Sequence, residues 1–352
     1  MWGEWSGDAG HLVKGVTDLR DARLVNDYQD LRLDRVNYRF RWRFTNKGDR
    51  ELHLADLLFD DGEKSWTAPR ISMARSVAEG LGLWISADEL PLDVPLNLAR
   101  DVMSVYRTAW PAFLPRSAAG KVEGLDLILD DRWRLKLARG AVSGASILDW
   151  DRWPDVQGLD GTIALREGFG RLGFSGREVV VDWPRMFRDP LAFTLPGCQV
   201  DIRWGQDWQV GFNHCALENE DLAARAKVII SGDEGKPDVD VNAAITRGDI
   251  AALDAYWPEA ILKPNIKSWL RQGLQSGRIV RGRFQIHGDM DDWPFRHGRG
   301  RFEALAEIQS GRIDYYPGWP AAGGVNATAR FVGAAMDIDG AVGAIGGIAV
   351  DE

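Results

Sequence analysis

The sequence predicts a mainly β protein: an elongated, curled antiparallel β-sheet that forms an apolar groove, with few short helices. Apolar and polar residues alternate with a period of two along much of the chain, one strand-rich segment is written twice, and helical spacing is rare. A sheet with one apolar and one charged face must cover the apolar face with a second layer or curl on itself. Because the helices are too few for a second layer, incomplete curling would leave a groove.

The duplicated segment is the first of these observations in detail. Residues 153–165 recur at 319–331, and both copies share a Trp-Pro pair, a glycine, a threonine and a closing apolar residue at the same spacing. A weaker similarity links 110–124 to 257–282. Repeats of this kind are typical of stacked sheets, whose function lies along a surface rather than in one pocket.

Strand patterns appear early and continue to the end of the chain. Apolar residues alternate from Val36 to Phe44 with a polar set that includes Arg39, Arg41 and Arg43, a face that is either solvated or near phosphate headgroups. A turn at 46–49 leads to a returning strand at 51–58. Similar alternation predicts strands at 280–287 and 301–309, and acidic pairs at Asp60-Asp61 and Asp130-Asp131 predict turns.

Helical spacing occurs at three places. The clearest is 264–275, where Pro264 stands at the start and Gly277 just beyond the end. Residues 96–106 and 249–256 give weaker patterns. Together with the repeat, these elements divide the chain into four predicted segments. They are an N-terminal β segment of the groove (1–80), a first β-groove unit (81–176), a connecting β-hairpin region (177–237) and a second β-groove unit (238–352) with the helix inserted at about 264–275.

Composition limits the function classes. The 352 residues are 45% hydrophobic, as in a folded protein, and 43 Lys and Arg against 52 Asp and Glu give a net charge of −9, which argues against nucleic acid as a partner. No apolar run reaches the length of a transmembrane helix, and the first residues lack the features of a signal peptide. We therefore expect a soluble chain whose export would depend on sequence outside it.

The two cysteines flank a predicted hairpin with strands at 199–204 and 208–214. Pairing Ile202 with Val210 matches the apolar faces of the two strands. That register puts Cys198 opposite His214, so that the thiols of Cys198 and Cys215 point to opposite faces. The pattern predicts free thiols.

The sequence offers little for catalysis or metal binding. A single group of residues has metal-ligand chemistry, but its spacing fits a hairpin turn better than an EF-hand or a zinc helix: His287, Asp289, Asp291, Asp292 and His297. The 5 histidines are scattered and no nucleophile elbow occurs. We therefore expect no enzyme activity, no cofactor and no metal. With 16 Trp, a carbohydrate-binding or glycan-processing β-protein stays an alternative, as does an envelope scaffold whose sheet edges dock partners.

Several motifs in a fixed order resemble a known family. They are Asp182–Pro190, Leu217–Leu222, Tyr256–Leu270, Gly277–Gly288, Trp293–Phe295, Gly300–Phe302, Gly311–Tyr315 and Gly318–Pro320. In order and spacing they resemble the central region of the YhdP-type AsmA-like proteins of Gram-negative bacteria. The similarity is sharp over about 181–340 and looser over 31–176.

The resemblance implies a periplasmic, bridge-like lipid carrier. It would hold phospholipid or another acyl lipid in an apolar β-groove between the inner and outer membranes, and so support outer-membrane lipid homeostasis. Relatives are anchored in the inner membrane by a helix, and contacts with either membrane would be made by parts absent from this chain. An open groove and a closed β-core remain alternatives. The expected groove lining is Val280, Phe284, Ile286, Phe302, Ala304, Ala306, Ile308, Ala329, Phe331, Met336 and Ile338.

Overall fold

The computed structural model of the chain describes most of the sequence. The described residues are 2–6, 10–25, 30–45, 47–62, 65–76, 80–97, 100, 115–150, 153–205, 207–232, 237–258, 262–289, 292, 295, 297–316, 318–333 and 335–350. Most of these residues lie in β-strands, and short helical segments account for few of them. The predicted fold class, a mainly β protein built on antiparallel sheet with few short helices, is confirmed.

Twenty strands are described in this part of the chain. The strands are β1 (Trp2–Ser6), β2 (Gly10–Val25), β3 (Asp30–Phe44), β4 (Arg50–Asp60), β5 (Ser65–Ser76), β6 (Leu81–Pro91), β7 (Ser117–Asp130), β8 (Leu135–Leu148), β9 (Asp155–Arg166), β10 (Phe169–Asp182), β11 (Leu191–Arg203), β12 (Trp208–Glu218), β13 (Leu222–Gly232), β14 (Asp238–Asp249), β15 (Leu274–Asp289), β16 (Gly300–Ile313), β17 (Ala322–Val332), β18 (Ala335–Ala341), β19 (Ala344–Ile345) and β20 (Ile348–Ala349).

The chain divides into two compact units. Unit 1 comprises Met1–Asp149 and Asp160–Arg171, and unit 2 comprises Trp150–Leu159 and Leu172–Glu352. The division falls within β9 and β10, each of which contributes residues to both units. The four segments predicted from the sequence stay a prediction.

Unit 1 is an antiparallel meander in which each strand from β1 to β8 pairs with the next. β3 carries the alternation that the sequence predicts, and β4 is the expected returning strand. The turn predicted at Asp130-Asp131 joins β7 to β8. Residues 93–97 are helical, whereas most of the helix predicted at 96–106 lies outside the described residues.

Unit 2 repeats the same construction from β11 to β18, again with antiparallel pairing between consecutive strands. Two helical segments interrupt it between β14 and β15. The weaker helical pattern at 249–256 is a 3₁₀ helix, Ile250–Tyr256, whose first turn is capped by the carboxylate of Asp249 accepting from the Ala251 amide at 2.9 Å. The predicted helix at 264–275 is Pro264–Gly273, and its last two predicted residues begin β15.

None of the helices in the described part of the chain is long and apolar enough to cross a membrane.

The two copies of the repeat have similar local structure. In each, the Trp-Pro pair lies just before a strand, directly before β9 in the first copy and one residue before β17 in the second. The shared glycines, Gly158 and Gly324, both have positive φ, 80° and 60°. Glycine adopts this conformation without the steric cost that a side chain brings, which explains why both copies retain it.

The prediction of free cysteines is wrong, because Cys198 and Cys215 form a disulfide across β11 and β12. The predicted register is correct at one end, where Ile202 lies opposite Val210. It then shifts between Gly197 and Gln199, and His214 has a φ of 52°. This irregularity moves Cys215 by one position relative to a regular ladder, so that it reaches Cys198.

Candidate functional site: the apolar face of the sheet

Unit 2 has a continuous apolar face. Residues directly opposite each other on antiparallel strands point to the same side of a sheet, so the registers define rows of side chains across the strands. One row crosses from β11 to β16 and contains Val200, Phe212, Val228, Val241, Ile286 and Phe302. A parallel row crosses from β13 to β18 and contains Ala226, Ala243, Phe284, Ala304, Phe331 and Met336.

A third row lies next to these two. It contains Ala224, Ile245, Gly282, Ala306, Ala329 and Ile338. The first row contains only bulky side chains, whereas the other two combine bulky side chains with alanine or glycine. We call the surface formed by these three rows the apolar face of unit 2.

The 3₁₀ helix covers one end of the apolar face. Ile250, which is 2% exposed, packs with Ile279, Ile308 and Ala329, and Leu253 of the same helix packs against that cluster. The helix contacts β14 and β15, whereas each described strand of unit 2 packs mainly against its sequence neighbours.

Burial of the side chains along the apolar face is incomplete. No large hydrophobic side chain of the described residues is less than 2% exposed, and Met336 and Ile338 at the β18 end are 49% and 46% exposed. A closed β-core of this length would bury several large side chains completely. Of the two alternatives from the sequence, an open groove and a closed β-core, these values favour the open groove.

Most of the predicted lining residues lie on this face. Four of them lie in or against the cluster under the 3₁₀ helix: Ala306, Ile308, Ala329 and Phe331. Ala306 also lies opposite Gly282 on β15. Those in the first two rows include an aromatic pair, since the rings of Phe284 and Phe302 meet edge to face with centroids 5.6 Å apart. The other predicted lining residues that belong to the three rows are Ile286, Ala304, Met336 and Ile338.

Val280 is the exception. The register between β15 and β16 shifts between Ile279 and Arg281, so that Val280 has no opposite residue on β16. Val280 is 37% exposed, and it is Ile279 that belongs to the buried cluster. We therefore use Ile279 in place of Val280 as a lining residue below.

Sequence reasoning missed the part of the face contributed by β11 to β14. The relevant residues alternate on each strand, as Val239, Val241, Ala243 and Ile245 do on β14. The same period of two that identified β15 and β16 was present there. Applied to β11 to β14, this period of two would have predicted which side chains lie on the apolar face.

Unit 1 has an apolar face of its own. One row crosses from β3 to β7 through Phe40, Leu54, Ile71, Ala87 and Leu125. Val94 and Pro95 of the helical segment at 93–97 overlie it and enclose a wholly apolar cleft of about 160 Å³. A short helical segment next to an apolar sheet face is thus a feature of both units.

The opposite face of the strands is polar. In unit 2, Arg281 pairs with Glu307 at 3.4 Å, and Glu303 is shared by Arg301 and Arg330. In unit 1, Arg39 pairs with Asp56, and Arg43 lies 3.8 Å from Glu51. Arg39 and Arg43 are therefore exposed and ion-paired, as on a solvated face.

The residues with metal-ligand chemistry are placed as turn and surface groups. Asp292, only 4% exposed, accepts hydrogen bonds from the ring of His297 and from the Arg299 amide at 3.2 Å. The hydrogen bond from His297 is the largest cause that holds the pKa of Asp292 below its usual range, and the amide and charge of Arg299 act in the same direction. Burial of the carboxylate opposes them, because it disfavours the charged form. His287 lies on β15, 3.8 Å from Asp240. Asp291 lies outside the described residues. No group of three such ligands occurs in the residues that the structure describes.

The tryptophans next to Pro or Asp bear on the carbohydrate alternative. Trp153, Trp183 and Trp257 are partly buried at strand ends, whereas Trp319 is 61% exposed beside Tyr315. Trp110 and Trp293 lie outside the described residues. Packing at strand ends is what a structural role predicts.

Comparison with known proteins gives two matches. A family model described as YhdP protein matches residues 1–352. The chain is also similar to the intermembrane phospholipid transporter YhdP of Escherichia coli (strain K12), with 23% identity over 187 residues. That match covers 50% of this chain and 14% of the relative, so the chain corresponds to a small part of it. No solved structure matches the chain.

Proposed function

The chain belongs to the YhdP family, and from that premise we propose that its apolar sheet faces hold phospholipid acyl chains during transport between the inner and outer membranes. The observation that carries the proposal is the set of three apolar rows in unit 2, each continuous over six strands and with most of its side chains only partly buried. The E. coli relative is a phospholipid transporter, which supports the same lipid class.

The chemistry of the face suits an acyl chain. Each methylene removed from water contributes about 0.8 kcal/mol, and the rows offer apolar contacts without a polar interruption along the strands. Small residues such as Ala304 and Ala306 leave depressions between the bulky rings of Phe302 and Phe331. Because each row is continuous from strand to strand, a chain can move along the face in small steps. The proposed lining is Ile279, Phe284, Ile286, Phe302, Ala304, Ala306, Ile308, Ala329, Phe331, Met336 and Ile338.

The disulfide supports a periplasmic location. Disulfides such as Cys198–Cys215 persist in oxidising compartments and are rare in the cytosol. In this proposal the chain acts as a passive segment of a lipid bridge. It is not an enzyme, and the contacts with each membrane are made by other parts of the longer protein.

Native mass spectrometry with lipid extraction tests the proposal. The protein would be purified from the periplasm of a Gram-negative host as wild type and as Phe302→Asp, which places a carboxylate in the first row. Burying an unpaired charge beside an acyl chain costs several kcal/mol, so we expect at least a tenfold loss of co-purifying phospholipid.

Leu305→Asp is the matched control. Leu305 lies on the same strand, three residues away, opposite Arg283 and Arg330 on the polar face. Phospholipid should co-purify with this variant as with the wild type, and circular dichroism should show that both variants fold. A wild-type protein free of lipid, or equal lipid loss in both variants, would contradict the proposal.

A further inference from the structure

A cleft that the lipid-carrying face does not explain lies mainly on the polar face of unit 2, with Ala226 and Ala243 of the second row also in its lining. It has a volume of about 640 Å³ and lies over β11 to β15. Its rim is basic, with Arg225 and Lys227 from β13 and Arg283 from β15. A concave basic site is unexpected in a chain whose net charge is −9.

The register explains how three cations meet there. Arg225 lies opposite Ala244 on β14, and Ala244 lies opposite Arg283 on β15. The two arginines are therefore on strands about 10 Å apart, separated by a methyl group. Because an arginine side chain is longer than half this distance, both guanidinium groups can reach over the alanine to one ligand. Lys227 stands two residues from Arg225, on the same face.

The floor of the cleft is made of small and amide side chains. Ala216 lies opposite Arg225 on the other side, and the amides of Asn242 and Gln285 bond to each other at 2.9 Å. The neighbouring strands are irregular at His214, next to the disulfide, and such bulges bend a sheet locally. The bend accounts for a depression on an otherwise open face.

The charges of this cleft are not neutralised from within the protein. Arg225, Lys227 and Arg283 form no hydrogen bond or ion pair with another residue in the described ranges. Of the nearby carboxylates, Asp240 accepts a hydrogen bond from the floor residue Asn242 at 2.7 Å and lies 3.8 Å from the ring of His287. Glu303 and Glu307, on β16, are paired with other arginines.

We infer that this cleft binds a phosphate-type oxyanion, held by Arg225 and Arg283 from two sides and by Lys227 at the rim. Guanidinium groups match the geometry of phosphate oxygens and form charge-assisted hydrogen bonds with them. The amides of Asn242 and Gln285 add neutral donors at the floor. The same chemistry serves a soluble phosphate and the phosphodiester of a lipid headgroup at a membrane surface.

The first experiment titrates inorganic phosphate into the ¹⁵N-labelled full chain at low ionic strength, followed by NMR. We expect saturable shifts of the amides of Ala244 and its neighbours. Arg225→Gln or Arg283→Gln should weaken the apparent affinity about tenfold, the equivalent of one charge-assisted hydrogen bond. Arg312→Gln is the matched control, because Arg312 is an exposed arginine of β16 that bonds to Gln275. Shifts that do not saturate, or that are the same in all three variants, overturn the site.

A second experiment identifies the source of the oxyanion. Flotation with phosphatidylglycerol vesicles, compared with phosphatidylcholine vesicles, is measured for the wild type and for the Arg225→Gln/Arg283→Gln double variant. Loss of phosphatidylglycerol binding in the double variant assigns the site to a membrane headgroup, and unchanged binding assigns it to a soluble phosphate. The double variant should keep its co-purified phospholipid, whereas Phe302→Asp should keep phosphate binding, so failure of one proposal is distinguishable from failure of the other.

Discussion

Asp130 lies in the turn between β7 and β8 and is 8% exposed. Its carboxylate accepts hydrogen bonds from the amide of Arg134 at 2.9 Å, the amide of Arg132 at 3.0 Å and the guanidinium of Arg134 at 2.9 Å. The amide bond from Arg134 is the largest cause that lowers the pKa of Asp130 from 3.8 to about 2. A single carboxylate therefore organises the turn that the sequence predicts.

Asp130→Asn should destabilise the protein at pH 7, because the neutral amide accepts these bonds less strongly. The folded pKa is lower than the unfolded one, so the contribution of the charged group is complete above about pH 4 and is lost as the pH falls towards 2. The difference between the urea midpoints of wild type and variant should therefore shrink between pH 5 and about pH 2.

Asp131→Asn provides the control for this prediction, because Asp131 is the next residue of the same turn and its side chain is exposed. We expect little change in its urea midpoint at either pH. An Asp130→Asn variant as stable as the wild type at pH 7 would contradict the assigned role.

The hairpin β11–β12 shows how far apolar alternation determines the register between two strands. Apolar alternation sets its register correctly at Ile202 and Val210, because a slip by one residue would expose every apolar side chain. Alternation does not reveal where a strand gains an extra residue, and the positive φ of His214 marks such a place. A register shift on β15 likewise places Ile279, and not the predicted Val280, in the buried cluster.

Reduction of the Cys198–Cys215 disulfide should destabilise unit 2. The bond links residues 17 positions apart, and closing a loop of this length in the unfolded chain contributes about 3 kcal/mol. Urea unfolding with and without a thiol reductant measures the difference in free energy of unfolding.

A Cys198→Ser/Cys215→Ser variant serves as the control for the reductant. It should be less stable by a similar amount, and its unfolding should not respond to reductant. If reductant left the wild type unchanged, the disulfide would not contribute to stability.

At the scale of the whole molecule, each unit is a sheet with two chemically different faces. In unit 2 most side chains of the apolar rows are only partly buried, and the basic cleft lies mainly on the polar face. The two faces would bind their ligands through different forces, hydrophobic burial on one side and charge on the other.

Salt should weaken phosphate binding at the basic cleft without weakening phospholipid binding at the apolar face. Raising the ionic strength from about 0.05 M to about 0.5 M shortens the Debye length to a few ångströms and screens exposed charges. Phosphate binding at Arg225 and Arg283 should fall by tenfold or more, whereas the amount of co-purified phospholipid should stay the same. Both can be measured on one preparation, and parallel loss of the two ligands would indicate that they share a site.

The sequence by itself determined the fold class, the main helix, the repeat and the family, because alternation and ordered motifs are local properties of the chain. It also identified most of the apolar face on β15 to β18, since a period of two assigns faces wherever strands are regular. Only the tertiary structure decided the disulfide, the exchange of Val280 for Ile279 and the basic cleft. Each of these depends on a bulge or on the registry between strands, and therefore on which residues of distant segments lie opposite one another.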